Sequence, residues 1–203
     1  MSNVPLIFQP LVKYVDFQGR ARRSEFWLWV LFRAIVSAVA GTLVMSLMFS
    51  AFSGVNWQST DPQTFMGPYM RFMPWINIIN LIDLALLLPT LAVGVRRLHD
   101  INRTGWWLIM PIVVAIVGVT IAIVIILTQV FAATGSGSTL SDAQSLAMFG
   151  KVFGSLALFV FLPILVSQIV MLVFYVTDGT PTANRFGTDP KGRGIIDTPE
   201  VIF

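Results

Sequence analysis

An all-α integral membrane protein, with four transmembrane helices and both termini in the cytoplasm, is the fold class this sequence predicts. Three observations predict it. First, only 11% of the 203 residues are charged while 56% are hydrophobic, and the mean hydropathy is +0.79; soluble domains carry about 25% charged residues. Second, the apolar residues fall in four blocks, at 26–52, 74–95, 106–131 and 152–176. Each block supplies the roughly 20 residues that a helix needs to cross the hydrocarbon core, and none alternates as a barrel strand would. Third, Lys13, Arg20, Arg22, Arg23, Arg96, Arg97, Arg103, Arg185, Lys191 and Arg193 lie in the N-terminal segment, the second loop and the tail. The other two loops hold only Arg71 and Lys151. That imbalance places both termini and the loop at 96–105 in the cytoplasm. A soluble globular domain and a disordered chain are excluded. With no cysteine in the chain, disulfides, thiolate catalysis and cysteine-based metal sites are excluded as well.

The elements follow in order. Leu11, Val12, Tyr14, Val15 and Phe17 mix with Lys13, Asp16 and Gln18, which predicts a short segment lying along the membrane interface. The first span begins after residue 25 and is too long for a cleaved signal peptide, so it is read as an uncleaved signal anchor. Asp61-Pro62 predicts an N-cap and a one-turn outer helix carrying Phe65 and Met66. Gly135-Ser136-Gly137-Ser138 reads as a flexible linker. Ser141 followed by Gln144 fits a capping box, so the fourth helix should start in water and enter the membrane near Lys151, and Pro163 should kink it. The chain thus divides into an interfacial segment at 1–25, a membrane domain at 26–176 and a tail at 177–203 packed on the cytoplasmic face. Asn102-Arg103-Thr104 has the form of a glycosylation site, but this topology turns it to the cytoplasm.

Polar residues inside the spans are the first functional candidates. Asn77, Asn80 and Asp83 repeat every three residues along one broad side of the second span. Asp83 lies twelve residues from Val95, about 18 Å deep, and must face protein or water, or be protonated. The three are read as inter-helix hydrogen-bonding glue; the competing reading makes Asp83 a proton or cation site. Arg33, about 10 Å into the first span, is expected to snorkel to the headgroups rather than reach Asp83. Met66, Met70 and Met73 have ligands for Cu(I), but among interleaved aromatics they read as apolar filler. No metal or cofactor is expected.

The polar information concentrates in three segments beside the span ends. They read Phe17-Gln18-Gly19-Arg20-Ala21-Arg22-Arg23-Ser24-Glu25-Phe26-Trp27, Arg96-Arg97-Leu98-His99-Asp100-Ile101-Asn102-Arg103-Thr104-Gly105-Trp106-Trp107, and Gly179-Thr180-Pro181-Thr182-Ala183-Asn184-Arg185-Phe186-Gly187-Thr188-Asp189-Pro190. Together they resemble the DUF-805 family (domain of unknown function 805) of small bacterial inner-membrane proteins. The family's GRxxRxEFW-like start, RRLHDxxRxGWW-like loop and GTPxxNRFGxDP-like tail all occur in order, from about Tyr14 to Pro190. The resemblance implies a bacterial inner membrane and no established activity. Arg33 and the Asn77/Asn80/Asp83 stripe lie outside its pattern.

Helix dipoles, an aromatic belt and attraction to an anionic leaflet account for many of the arginines. They leave His99-Asp100 beside Asn102 and Arg103, and Asn184-Arg185 between glycines, without a reason. These residues predict a polar network in which Glu25, Asp100 and Asp189 pair with Arg20, Arg23, Arg97 and Arg185, beside Arg96. Arginine forks suit carboxylate or phosphate. The network either pins the tail or forms a pocket for an anionic phospholipid headgroup or another phosphorylated ligand, and the structural role is favoured. Catalysis is disfavoured, because adjacent His99 and Asp100 rarely orient one another as a base and its partner must. Besides the bilayer, the partners expected are anionic phospholipid and a second copy in a homo-oligomer, with no nucleic acid. The runner-up function is a small proton- or ion-coupled transporter built on Asp83.

Overall fold

A computed structural model describes residues 4–59, 61–135 and 141–193. A 3-10 turn (Leu6–Phe8) leads into α1 (Gln9–Val12). The membrane helices are α2 (Arg23–Phe52), α3 (Gln63–Asp100), α4 (Met110–Gly135), and α5 (Asp142–Leu156) with α6 (Leu162–Val176). A 3-10 turn (Gly105–Ile109) precedes α4, and a π turn (Ala157–Phe161) joins α5 to α6. Among the described residues, four stretches are long and apolar enough to cross a membrane. Ser136 to Ser138 of the expected linker lie outside the described residues.

Two expectations change. The one-turn outer helix does not stand apart: α3 runs unbroken for 38 residues through Pro68, Pro74 and Pro89. It starts one residue later than expected, at Gln63 with Pro62 in the cap position, and the Asp61 carboxylate accepts the Gln63 N–H at 3.0 Å. A proline removes one intrahelical donor, and a membrane helix survives this when another group serves the freed carbonyl. At Pro89 that carbonyl belongs to Ala85, and the Tyr14 hydroxyl donates to it. The second change concerns Pro163. The misfit it brings is taken up one turn earlier as the π turn, after which α6 continues with proline in its first turn. At the start of α5, Ser141 and Gln144 form the capping box with both hydrogen bonds present.

The helices pack as two antiparallel pairs, α2 with α3 and α4 with α5–α6, which meet at one end. We call this the basic end, since the N-terminal segment, the loop after α3 and the tail all gather there. The buried cluster of Ala21, Phe26, Trp29 and Val93, flanked by Leu86 and Tyr175, sits there too. Phe26 and Tyr175 join the pairs, with ring centroids 4.2 Å apart. Away from this end the large apolar side chains are mostly exposed, as suits helices whose solvent is lipid. The N-terminal segment leans against α2, with Phe8 edge-on to Phe32, and Pro10 is fully buried.

Candidate functional site

The site grows from the last turn of α3, which projects past the apolar span. Asp100 is 1% exposed and Arg97 0%. A carboxylate so buried needs both oxygens satisfied. Oδ1 accepts from Arg20 Nε at 2.9 Å and Oδ2 from Arg97 Nη1 at 2.6 Å. The remaining guanidinium donors turn to backbone carbonyls. Arg20 reaches Thr182 at 2.8 Å and Thr180 at 2.5 Å. Arg97 Nε reaches Tyr175 at 3.2 Å, and its Nη2 reaches Thr177. With Arg23 Nη1 on the Val176 carbonyl at 3.0 Å, arginines from two other segments cap three consecutive carbonyls at the end of α6. Those are the acceptors that a helix leaves orphaned at its C-terminus, where the dipole also favours cations.

The tail is laced to this knot. The Thr180 N–H donates to the Asp100 carbonyl at 3.0 Å. Asn184 Nδ2 donates to the His99 carbonyl at 3.0 Å and to Thr180 Oγ1 at 3.1 Å. Asn184 and Gly187 also pair through both backbone bonds at 3.0 Å, with Gly187 at φ +134°, which favours glycine. An outer rim surrounds the knot. Asp178 meets Lys191 at 2.8 Å and Arg23 and Arg193 each at 3.3 Å, and Asp189 meets Arg193 Nε at 2.9 Å. The hydrogen bond from Lys191 holds the Asp178 carboxyl below the usual carboxylate range. The one from Arg193 holds Asp189 well below it and raises Arg193 in turn.

Several predicted roles are corrected. Glu25 pairs with Arg96 (3.1 Å, both buried), not with Arg20, Arg23, Arg97 or Arg185. Arg185 meets no carboxylate among the described residues; it donates to the Asn102 carbonyl at 3.2 Å and lies over the Phe186 ring. Arg103 lies outside the network, over Trp107 and Phe174. Asn102 serves as the left-handed residue (φ 59°) that ends α3. The Asn102 N–H bonds to His99 and the Arg103 N–H to Leu98, which is the Schellman pattern. His99 does not engage Asp100. Its Nδ1 faces the Gly19 carbonyl at 3.2 Å, and its ring stacks on Phe186 with centroids 3.8 Å apart.

Within the span, Arg33 does not snorkel. Its Nη2 meets Asp83 Oδ1 at 2.8 Å, because antiparallel packing of α2 on α3 brings the two to one interface. A pair is cheaper at this depth than two separate charges. Asp83 is therefore a paired acid, not the lone acid from which a proton path would draw. Asn77 and Asn80 are exposed and hydrogen-bond to no described residue, so they are not glue between the described helices.

Beside the knot lies a cavity of about 340 Å³ lined by Leu6, Gln9, Lys13, Arg20, Arg22, Glu25 and Pro190. Arg22 is tied to it by a 2.6 Å bond from Nε to the Pro190 carbonyl. Lys13 is half-buried there and hydrogen-bonds to no described side chain. Sequence reading treated Lys13, Arg22, Lys191 and Arg193 only as topology markers, placed Tyr14 in the interfacial segment without a partner, and missed Asp178 altogether. Gly179-Thr180-Pro181 and the Asn184-Arg185 pair were the available signals that the tail turns back beneath α6. No three His, Cys, Asp or Glu side chains converge as a metal site among the described residues.

Comparison with known proteins agrees with this architecture. The family model described as "Protein of unknown function (DUF805)" matches residues 14–139. Inner membrane protein YhaI of Escherichia coli (strain K12) is 28% identical over 181 residues, which is 89% of this chain and 91% of that protein. Inner membrane protein YhaH of the same strain is 26% identical over 184 residues, covering 89% and 92%. No solved structure matches the chain. Four membrane-crossing helices, arginine-rich segments gathered at one end and a match over more than half the length lead to one conclusion: this chain is a multi-pass inner-membrane protein of the DUF805 family.

Proposed function

We propose that the basic end faces the cytoplasm, that its buried arginine–aspartate knot is structural, and that the cavity beside it holds the phosphate of an anionic phospholipid headgroup. The division of labour among the cations supports this reading. Arg20 and Arg97 have their donors engaged by Asp100 and by tail carbonyls, so they pin the tail under the bundle. Lys13 differs: it is a half-buried ammonium with no hydrogen-bond partner among the described residues, in a cavity also lined by Arg22, the Gln9 amide and Glu25, whose carboxylate is already paired with Arg96. That single observation carries the proposal. An ammonium, a guanidinium and a carboxamide are donors suited to phosphate oxygens, and the position at the start of α2 is where headgroups lie. Lipid attraction of about 1 kcal/mol per basic residue would add to the contact. The transport reading draws less support, since Asp83 is tied to Arg33.

Native mass spectrometry of the detergent-purified chain tests this. Phosphatidylglycerol should remain bound and phosphatidylcholine should not, and Lys13→Ala with Arg22→Ala should release the bound lipid while the tail stays docked. Displacement by millimolar inorganic phosphate alone would identify a soluble phosphate site instead. Equal retention of both lipids, or retention unchanged in the double variant, rejects the proposal.

A further inference from the structure

We infer that a second copy of this chain packs against α3 through a seam containing Asn77 and Asn80. Met70, Met73, Asn77, Asn80, Leu84 and Leu87 recur at steps of three and four along α3. This 3.5-residue repeat is that of a helix seam facing a partner helix. All six are exposed except Met73, which is half-buried. The seam is not the face α3 gives to α2, since Phe72, Asp83 and Thr90 make those contacts; on a 100° per residue wheel it lies about a quarter-turn away.

Depth makes the two amides informative. Counting from Val95, Asn80 lies about 22 Å along the helix, inside a hydrocarbon core about 30 Å thick, and Asn77 about 27 Å, one turn nearer its far boundary. Neither has a hydrogen-bond partner among the described residues, and lipid tails offer none. The Arg33–Asp83 pair nearby is also incompletely covered, with side chains 28% and 45% exposed. The groups therefore call for a polar protein surface at matching depth.

The chemistry selects the occupant. A carboxamide is both donor and acceptor, so it is complementary to itself. Two copies related by a two-fold axis along the membrane normal place α3 beside α3 in parallel, which brings each asparagine to the depth of its own counterpart. An isologous interface of this kind needs no second species. Within an apolar seam, an asparagine pair sets the register as it does in coiled coils, and the leucines and methionines pack around it. This inference is independent of the headgroup cavity, whose lining contains no residue of α3.

The chain has no cysteine, so single substitutions report proximity in native membranes without background. Leu84→Cys should oxidise to a covalent species of twice the chain mass. Ile82→Cys, exposed two residues away but 200° round the helix, should give at least tenfold less. Adding Asn77→Leu and Asn80→Leu to Leu84→Cys should lower the yield at least tenfold while the purified chain stays monodisperse. Equal yields at the two positions would overturn the inference. So would no covalent dimer at Leu84→Cys, a cross-linked band of a different mass, or a yield indifferent to the asparagines.

Discussion

The Tyr14 phenol donates to the carbonyl of Ala85, 71 residues away, and Ala85 is the residue whose acceptor Pro89 cannot serve. A side chain of the interfacial segment thus mends a break in a membrane helix. Removing it should be felt in both places. Tyr14→Phe should lower the stability of the detergent-solubilised chain by about 1 kcal/mol, in the range of membrane hydrogen bonds. In a Pro89→Ala background residue 89 has its own N–H to give, and the same substitution should cost much less. Thermal unfolding of the four proteins in the cycle measures the coupling, and simple additivity would show that Tyr14 acts elsewhere.

A second proline relationship holds α4 to the fourth span. Pro163 cannot give the Phe159 carbonyl its α-helical donor, and that carbonyl lies against Gly118 so closely that a Cβ there would overlap it. Backbone cannot swing aside as a flexible side chain does. Gly118→Ala should therefore destabilise the chain by about 1–3 kcal/mol, the usual range for overpacking. Gly150, on α5, has open space where its Cβ would go, so Gly150→Ala should be neutral or stabilising by up to about 1 kcal/mol through helix propensity. Melting temperatures of the two variants should move in opposite directions or differ clearly in size.

Asp100 holds the knot because it answers two buried guanidiniums at once. Asp100→Asn keeps the shape but leaves Arg20 and Arg97 without their counter-charge, and breaking a buried pair costs about 3–5 kcal/mol. The tail should come loose before the helices do, since Arg20 and Thr180 anchor it through the same turn. Limited trypsin digestion should then cut at Arg185 or Lys191 far faster than in the unsubstituted chain. Gly179 packs directly on the Asp100 carboxylate, so Gly179→Ala should free the tail in the same way without altering any charge.

What could be read in advance follows a physical division. Signals carried within one stretch of chain were legible: the capping box at Ser141 and Gln144, the span ends, and the gathering of three arginine-rich segments at one end. Signals that depend on which helix neighbours which were not. Arg33 looked free to snorkel because its sequence neighbourhood is apolar, and only the packing of α2 on α3 shows that Asp83 is within reach. Asn77, Asn80 and Asp83 looked equivalent at three-residue spacing, yet successive 60° drifts carry Asn80 and Asn77 out of the interface Asp83 occupies. Asn102 looked like a network member and instead provides the left-handed turn that ends α3, a task local geometry could have assigned to it. The partner of Tyr14 could not have been found, since it is a backbone oxygen 71 residues away.

The outer rim makes tail docking sensitive to acid. Lys191 holds Asp178, and Arg193 holds Asp189, below the ordinary carboxylate range. Undocking takes Asp178 away from Arg23 and Asp189 away from Arg20, and the fold of the tail that keeps them beside Lys191 and Arg193 is lost with it, so in the unfolded tail both titrate near 4. The docked state therefore binds fewer protons than the undocked state in this window, and its stability rises with pH there. The contribution is complete above the ordinary carboxylate value and disappears as pH falls through the lower values of the docked tail. Docking should be unchanged between pH 8 and pH 6 and weaken below about pH 4. Asp178→Asn with Asp189→Asn should flatten that dependence while lowering docking at neutral pH. The solvent accessibility of a fluorophore on a single cysteine at Thr188, followed against pH, measures it; an acid response unaltered by the two substitutions would assign the titration to other groups.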